Sequence, residues 1–278
     1  MPGLVLTPLA DADASGGLFP PDSALVDEIL PSPNHGERRS FARPNCIVLH
    51  YTGMPTAAAA IALLRNPAAE VSSHYVVEES GRIVQLVKES RRAWHAGASC
   101  WRGERDMNSA SVGIEICNAG HDGGLPDFPA RQIEAVIALC RDIASRCGVG
   151  PERILAHSDI APGRKRDPGE KFPWRALAAA GVGHWIEAPP PSSQILLARG
   201  HEGPPVRGLQ AMLSLYGYDQ ETSGVFDART EAVVAAFQRH FRPERVDGAA
   251  DASTVETLKE LQSGLRAGPD EFILECSR

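Results

Sequence analysis

The stretch EAPPPSSQ at residues 187–194 interrupts the chain more sharply than any other segment. Its three consecutive prolines have no backbone N–H to give to a helix or a sheet, and they favour a stiff, extended spacer. A chain of 278 residues is also long enough to build two hydrophobic cores. The sequence therefore predicts a Pro-rich linker at 187–194 that separates two domains.

Segments typical of strands and of helices alternate upstream of the linker. Four segments indicate strands, the second of them a hairpin: CIVLHY (46–51), HYVVEESGRIVQLV (74–87), SVGIEIC (111–117) and ERILAH (152–157). Two indicate helices: TAAAAIALLRNP (56–67) and ARQIEAVIALCRDIASRCGV (130–149). This alternation predicts an α/β domain over residues 44–186, built as a mixed β-sheet flanked by helices. Residues 1–43, rich in Pro, Gly and Asp, are predicted as an irregular N-terminal arm.

The segment after the linker contains an internal repeat. SGVFDARTEAVVAAFQ (223–238) aligns with DGAADASTVETLKELQ (247–262) at an offset of 24 residues. Asp227 and Asp251 each stand where a helix N-cap accepts backbone amide hydrogens. With VRGLQAMLSLYG (206–217) as a further helix, the pattern predicts a small all-α three-helix domain over residues 195–278. Packing alone favours a helical bundle without a special function.

Composition excludes some classes of partner. The formal net charge is −7, with 28 basic and 35 acidic residues, whereas nucleic-acid binding favours a basic face. No apolar stretch approaches the roughly 18 residues of a membrane span. The N-terminal stretch MPGLVLTPLADADASGG lacks the basic start of a signal peptide, and the six cysteines show no C-x-x-C spacing. We therefore expect a cytoplasmic monomer, or a periplasmic one if an export signal has been lost.

Three ligand-type residues stand at or after strand ends. His50 ends one predicted strand, His157 ends another, and Asp167 lies in the Pro- and Gly-rich loop that follows. Two imidazoles and a carboxylate suit zinc and leave a fourth position open. Taken singly, each has a more ordinary explanation, because a histidine after an aliphatic run is usually structural and an Asp before Pro-Gly usually begins a turn. Spacing makes a zinc site possible but does not establish it.

Glu115 is an unusual residue for its place in the chain. Strand alternation puts it on the face opposite Val112, Ile114 and Ile116, in the middle of an otherwise apolar strand. A carboxylate there is costly unless it is paired, and desolvation raises its pKa. A buried salt bridge with Arg92 or Lys165 and a role as general base remain equally open from the strand alone.

A set of motifs resembles the zinc-dependent N-acetylmuramoyl-L-alanine amidases, the amidase type 2 family. The likeness spans about residues 32–180 and is carried, in order, by SPNHGER (32–38), IVLHYTGM (47–54), SSHYVVEESGRIVQLV (72–87), RAWHAGAS (92–99), SVGIEICN (111–118) and HSDIAPGRKRDPG (157–169). The last motif is highly specific. The tail segment GYDQETSGVFDARTEAVVAAFQ (217–238) is similar to the peptidoglycan-binding module often attached to such enzymes.

The resemblance implies a cofactor and roles for individual residues. It implies Zn²⁺ held by His50, His157 and Asp167. It makes Glu115 the catalytic glutamate and Lys165 the cation facing the reacting carbonyl. It also places three residues near the substrate groove: Tyr51, Arg92 and His95.

The implied reaction is hydrolysis of the amide between N-acetylmuramic acid and L-alanine, in peptidoglycan or in muropeptides that include 1,6-anhydro forms. Peptidoglycan or a muropeptide is then the expected partner. The alternative is a non-catalytic protein that keeps the fold and recognises muropeptides. Loss of a metal ligand or of the glutamate would favour that alternative, and all four residues are present.

Overall fold

The structure is a computed structural model that describes residues 19–266. Its strands are β1 (Glu28–Ile29), β2 (His35–Glu37), β3 (Cys46–Tyr51), β4 (Tyr75–Val77), β5 (Ile83–Gln85), β6 (Arg91–Ala93), β7 (Ser111–Ile116), β8 (Ile154–Ala156), β9 (Ile195–Leu197) and β10 (Ala250–Asp251). Its α-helices are α1 (Ala57–Leu64), α2 (Met107–Ala110), α3 (Ala130–Cys147), α4 (His157–Ile160), α5 (Trp174–Ala179), α6 (Pro204–Tyr216), α7 (Ala228–Phe241) and α8 (Ala252–Arg266).

A six-stranded mixed sheet in the order β1-β5-β4-β7-β3-β8 forms the centre of the first domain. Strand β3 runs parallel to both β7 and β8, and β4 pairs antiparallel with β5. Helix α3 covers one face, where Ile47 and Leu49 of β3 pack with Ile133 and Val136. Helix α1 covers part of the other face. This confirms the predicted fold class of a mixed sheet flanked by helices.

The predicted helix ends correspond to local signals in the sequence. Thr56 caps α1 by accepting a hydrogen bond from the Ala59 backbone N–H, which replaces a partner that the first helical turn lacks. Helix α3 ends at Gly148, whose φ of +72° is the left-handed conformation that glycine adopts without strain. The hairpin predicted over residues 74–87 joins β4 to β5, with Val76 opposite Val84.

The N-terminal arm is more regular than predicted. Strand β1 pairs in parallel with β5 and so joins the edge of the main sheet, while β2 pairs antiparallel with β6. These strands have two and three residues, too short for an alternating pattern to be visible in a Pro- and Gly-rich segment. Residues 1–18 of the predicted arm lie outside the described residues.

The second domain has the three predicted helices, α6, α7 and α8, together with a two-stranded antiparallel ribbon of β9 and β10 that the sequence did not indicate. Asp227 caps α7 as predicted, because its carboxylate accepts a hydrogen bond from the Thr230 backbone N–H. Asp251 does the same for Thr254 at the start of α8. Residues 267–278 of this predicted domain lie outside the described residues.

The repeat has a structural basis in two buried glutamines. Gln210 of α6 accepts a hydrogen bond from the Gly224 backbone N–H and donates to the Thr230 hydroxyl. Gln238 of α7 accepts from the Gly248 backbone N–H and donates to the Thr254 hydroxyl. Each helix thus uses one glutamine to order the loop before the next helix and the cap of that helix. The two repeat units therefore have the same pattern of hydrogen bonds.

The two domains share a hydrophobic core. Cys46, Val48 and Leu155 on the second face of the main sheet belong to one buried cluster with residues of the helical domain such as Leu213 and Phe237. The predicted linker lies against the helical domain, since Ser253 donates to the Pro189 carbonyl and the Ser192 backbone N–H donates to Asp251. The helical domain therefore covers the sheet face that α1 leaves open. Within the described range, no helix has the length and apolar character of a membrane span.

Candidate active site

Three donor atoms from two strand ends and one loop meet at a single point. Nδ1 of His50 lies 2.8 Å from Nδ1 of His157 and 3.0 Å from Oδ2 of Asp167, and the last two atoms are 2.9 Å apart. His50 lies near the end of β3 and His157 begins α4 directly after β8. Because β3 and β8 are parallel neighbours, their carboxyl ends lie at the same edge of the sheet. The loop after α4 then returns Asp167 to this edge.

The remaining ring nitrogens hold the two histidines in the ligand tautomer. Nε2 of His157 lies 3.1 Å from the Ala96 carbonyl oxygen, which only accepts, so this nitrogen carries the proton and Nδ1 keeps its lone pair. His50 Nε2 lies 3.0 Å from Nδ1 of His95. The Nε2 of His95 contacts the Ser111 hydroxyl, which itself donates to the Met107 carbonyl. His95 therefore donates to Ser111 and accepts from His50.

The donor set fits zinc. Two neutral imidazole nitrogens and one carboxylate oxygen, each ring oriented by a second hydrogen bond, are a common ligand arrangement for this ion. All three side chains are buried. Burial lowers the pKa of His50 to about 4, an effect that His157 adds to and Asp167 opposes. Burial alone would raise the pKa of Asp167, but its interactions with His157 and His50 outweigh burial and hold that pKa well below its usual range.

The three residues line a cavity of about 360 Å³. Glu115 and Lys165 line the same cavity, as do Tyr51 and His95. One further part of the wall is apolar and aromatic, and its residues include Met54, Leu63, Val71 and Trp94. The structure therefore brings together the predicted ligands, the predicted glutamate and lysine, and two of the three residues predicted near the groove.

Glu115 faces this cavity from β7. Its Oε2 is buried and has no hydrogen-bond partner among residues 19–266. Burial raises the pKa of Glu115 well above its usual value, the charge of Asp167 adds to this effect, and the ammonium of Lys165 opposes it. A carboxylate with a buried, unpartnered oxygen and a raised pKa is suited to accept a proton, since a salt bridge would have lowered that pKa.

Arg92 lies elsewhere. It is not among the cavity-lining residues, and its guanidinium binds the Asp106 carboxylate through Nε at 3.0 Å and Nη2 at 2.8 Å. Asp106 in turn caps the short helix α2. The strand β6 turns this side chain toward α2, so the structure does not bring Arg92 together with the other predicted site residues.

Sequence reasoning missed Gly113, which lies beneath the site. A Cβ atom at this position would lie 2.4 Å from Cγ of His95, so only glycine leaves room for that ring. The signal was available, because a glycine inside a strand often marks the close approach of another group.

His121 and Glu170 were missed for a different reason. The Tyr51 hydroxyl lies 2.9 Å from Nδ1 of His121, and Nε2 of His121 lies 3.0 Å from the Glu170 carboxylate. His121 begins a three-residue 3-10 helix and Glu170 lies in a turn, so no periodic pattern marks them. These contacts connect Tyr51, which lines the cavity, to two residues that do not line it.

Comparison with known proteins agrees with this geometry. The family model of N-acetylmuramoyl-L-alanine amidase matches residues 40–170, and the model of a peptidoglycan binding domain matches residues 202–258. The chain is 38% identical over 234 residues to the N-acetylmuramoyl-L-alanine amidase AmiD of Escherichia coli (strain K12), a match that covers 80% of this chain and 83% of AmiD. The chain belongs to the N-acetylmuramoyl-L-alanine amidase family.

Two solved structures show the same architecture as this amidase over both domains. AmiD from E. coli, in complex with the substrate anhydro-N-acetylmuramic acid-L-Ala-D-γ-Glu-L-Lys, matches with a TM-score of 0.69 and 36% identity, and covers 82% of this chain and 91% of AmiD. AmpDh3 from Pseudomonas aeruginosa, in complex with an anhydromuramic pentapeptide, matches with a TM-score of 0.67 and 33% identity, and covers 81% of this chain and 94% of AmpDh3. The predicted family and enzyme class are thereby confirmed.

Proposed function

We propose that this amidase is zinc-dependent and hydrolyses the amide bond between N-acetylmuramic acid and L-alanine in muropeptides, 1,6-anhydro forms included. The observation that carries the proposal is the convergence of three buried donor atoms, 2.8–3.0 Å apart, in a cavity that Glu115 also lines, with an Oε2 that has no hydrogen-bond partner among the described residues. The substrates named for AmiD and AmpDh3, both anhydromuramic peptides, support this choice of substrate.

His50, His157 and Asp167 would hold the zinc. When bound there, zinc lowers the pKa of water toward about 7 and polarises a carbonyl as a Lewis acid. The Nδ1 atoms of both histidines are kept free for this role by the hydrogen bonds on their Nε2 atoms.

Glu115 would move the proton. Its unpartnered Oε2 accepts a proton from the attacking water, which increases the nucleophilicity of the water oxygen. The raised pKa of Glu115 then lets the protonated carboxyl deliver that proton to the nitrogen of L-alanine as the amide C–N bond breaks. One side chain thus acts first as base and then as acid, and no acyl-enzyme is needed.

Lys165 would stabilise the charge that develops on the carbonyl oxygen. It lines the cavity together with Glu115 and its ammonium acts on that carboxylate electrostatically. A fixed cation in a partly water-excluded site lowers the energy of a developing oxyanion more than it stabilises the neutral amide.

The helical domain would bind peptidoglycan. Its match to a peptidoglycan binding domain over residues 202–258 supports this role. Binding of the full chain and of an active-site variant to purified sacculi, measured by co-sedimentation, tests it. Equal sedimentation of both proteins is expected, because residues 202–258 contribute no side chain to the lining of the cavity.

We also propose that the enzyme acts in the cytoplasm on soluble fragments. The described cysteines are free, and four of the five are buried, as is typical of a reducing compartment. Fractionation of cells that express the native gene tests this proposal, and recovery of the protein with periplasmic markers would contradict it.

Mass spectrometry of reaction products tests the catalytic proposal. The purified chain is incubated with an anhydromuramic tetrapeptide and, separately, with intact sacculi. Free peptide with an N-terminal alanine and the peptide-free sugar are the expected products, and a chelator should prevent their formation. Binding of the muropeptide without any release of peptide would instead favour the non-catalytic recognition protein.

A further inference from the structure

A carboxylate in α4, just before the loop that carries Asp167, receives two hydrogen bonds from the other domain. Asp159 lies in α4, two residues after His157, and is fully buried. Its Oδ1 accepts a hydrogen bond of 2.7 Å from the Tyr218 hydroxyl, and its Oδ2 accepts one of 2.6 Å from Nδ1 of His240. The same Oδ2 accepts from the Ala156 backbone N–H at 2.8 Å. Two of its three bonding partners therefore come from the helical domain.

His240 is held rigidly for this contact. Its ring stacks on Trp174 with centroids 3.7 Å apart and on Phe241 at 3.8 Å. Trp174 belongs to α5 of the first domain, whereas His240 and Phe241 belong to α7. The imidazole is thus clamped between the domains, so its Nδ1 keeps a fixed direction toward Asp159.

A second connection starts from the residue next to His240. Nε of Arg239 lies 3.4 Å from the Glu170 carboxylate. Glu170 contacts His121, which contacts the hydroxyl of Tyr51 in the cavity wall. The end of α7 therefore contacts α4 through His240 and is connected to the cavity-lining Tyr51 through Arg239, Glu170 and His121.

We propose that the end of α7, together with Tyr218, is a positioning element of the active site, so that the helical domain supports catalysis directly in addition to binding peptidoglycan. This inference rests on the proposed function for its catalytic consequence. The bonds to Asp159 hold α4 and so the Nδ1 atom of His157 in place, and the contact of Arg239 with Glu170 holds Tyr51.

The consequence separates this role from tethering. A module that only binds the wall raises the local concentration of enzyme on sacculi and has no effect on a small soluble substrate. A positioning module also changes zinc affinity and turnover with soluble fragments. A buried carboxylate that loses a hydrogen-bond partner is left unsatisfied at a cost in free energy, so it moves to reach another partner.

A matched pair of tyrosine variants tests the contact with Asp159. Tyr218→Phe removes the hydroxyl that Asp159 accepts. Tyr216→Phe removes a hydroxyl that is equally buried and lies 2.9 Å from Nδ1 of His184, in the segment before the linker. Both are made in the full chain. The readouts are the zinc dissociation constant in competition with a chromophoric chelator, and hydrogen–deuterium exchange of residues 157–169 in the metal-free protein.

Tyr218→Phe should weaken zinc binding by roughly tenfold and speed exchange in 157–169, whereas Tyr216→Phe should leave both readouts at the parent values. Equal effects of the two variants, or no effect of either, would overturn the inference. If the parent binds no zinc, the proposed function fails, and the exchange rates of the metal-free chains still decide the positioning role.

The contact with Glu170 is tested by Arg239→Met, with Arg199→Met as the control. Arg199 forms an exposed ion pair with Glu231 elsewhere on the helical domain. With a soluble anhydromuropeptide, Arg239→Met should raise KM by up to about fivefold and leave zinc affinity unchanged, since only the Tyr51 side of the cavity loses support. An unchanged KM, or the same rise in Arg199→Met, would contradict this half of the inference.

Discussion

His50 and Glu115 are register partners on the adjacent parallel strands β3 and β7. Side chains of paired residues point to the same face of a sheet, and neighbouring strands lie about 4.8 Å apart. The side chains proposed as the first metal ligand and as the proton acceptor are therefore placed by the same ladder of backbone hydrogen bonds. A site built on strands in this way is held more rigidly than one built on loops alone.

Replacement of Glu115 by glutamine should abolish most of the activity. The amide keeps the shape of the carboxylate but cannot accept the proton, so we expect kcat to fall by about 10²–10⁴-fold with zinc still bound. Peptide release from an anhydromuropeptide and zinc content by atomic absorption are the measurements. Glu134→Gln, an exposed position on α3, is the control. Wild-type turnover in Glu115→Gln would refute the assigned role.

Asp167 should be required for metal retention. We expect Asp167→Asn to weaken zinc binding, because it removes the only anionic donor of the three. The loss of affinity should exceed the roughly 10–100-fold that is typical when a residue that only hydrogen-bonds to a metal ligand is replaced. A chelator should inactivate the parent, and added Zn²⁺ should restore it. Asp122→Asn is the control, since that side chain is 99% exposed. Equal dissociation constants in Asp167→Asn and the parent would exclude this ligand.

Lys165 should act on the transition state more than on binding. Lys165→Met keeps the length of the side chain and removes its charge, so we expect kcat to fall by about 10²–10³-fold with little change in KM. Steady-state kinetics on a soluble muropeptide provide the measurement. Lys171→Met, which removes a half-exposed lysine paired with Asp127, should have normal kinetics. A rise in KM alone would instead assign Lys165 to substrate binding.

The metal-free protein should lose stability on acidification below pH 6.5. The folded state keeps His50 neutral, with a pKa of about 4, whereas the unfolded chain binds that proton near pH 6.5. Between these values the unfolded state holds more protons, so the free energy of unfolding falls as the pH is lowered. The contribution of His50 is about 2 kcal/mol at pH 5, from 1.36 kcal/mol per pKa unit.

Urea unfolding at pH 7 and pH 5 measures this loss. In His50→Gln the difference between the two pH values should shrink by about 2 kcal/mol, and in His201→Gln, an exposed position, it should match the parent. Burial also lowers the pKa of His74 well below its usual value, so some acid sensitivity should persist in His50→Gln. A parent protein equally stable at both pH values would contradict this account.

The cluster of His50, His157 and Asp167 could be predicted because the sequence marks the strand ends and the topology brings those ends to one edge of the sheet. His50 and His157 each follow a short apolar run, and parallel strands bring such ends to one edge. Glu115 could be placed because strand alternation is a local rule. The roles of these residues came from the motifs and not from spacing, since a histidine at a strand end is more often structural than a metal ligand.

The contacts between the domains could not be predicted in the same way. Tyr218 and Asp159 are 59 residues apart in the chain, and neither stands in a pattern that indicates a partner. The Pro-rich linker favoured two separate units, whereas the structure joins their cores through residues such as Val48 and Phe237. Burial of Tyr218 and His240 follows from that shared core, which depends on tertiary packing and not on local periodicity.

Gly113 should be irreplaceable even by alanine. A Cβ atom there would overlap the His95 ring at 2.4 Å, and the ring cannot move aside without breaking its contact with Nε2 of His50. We expect Gly113→Ala to cost about 1–3 kcal/mol of stability and to weaken zinc binding by roughly 10–100-fold. Gly36→Ala, also in a strand but with no atom within 4 Å of its Cβ position, should change neither quantity. Denaturant unfolding and zinc titration of both variants measure the two effects separately. Loss of stability in Gly113→Ala with unchanged zinc affinity would show that His95 does not orient His50.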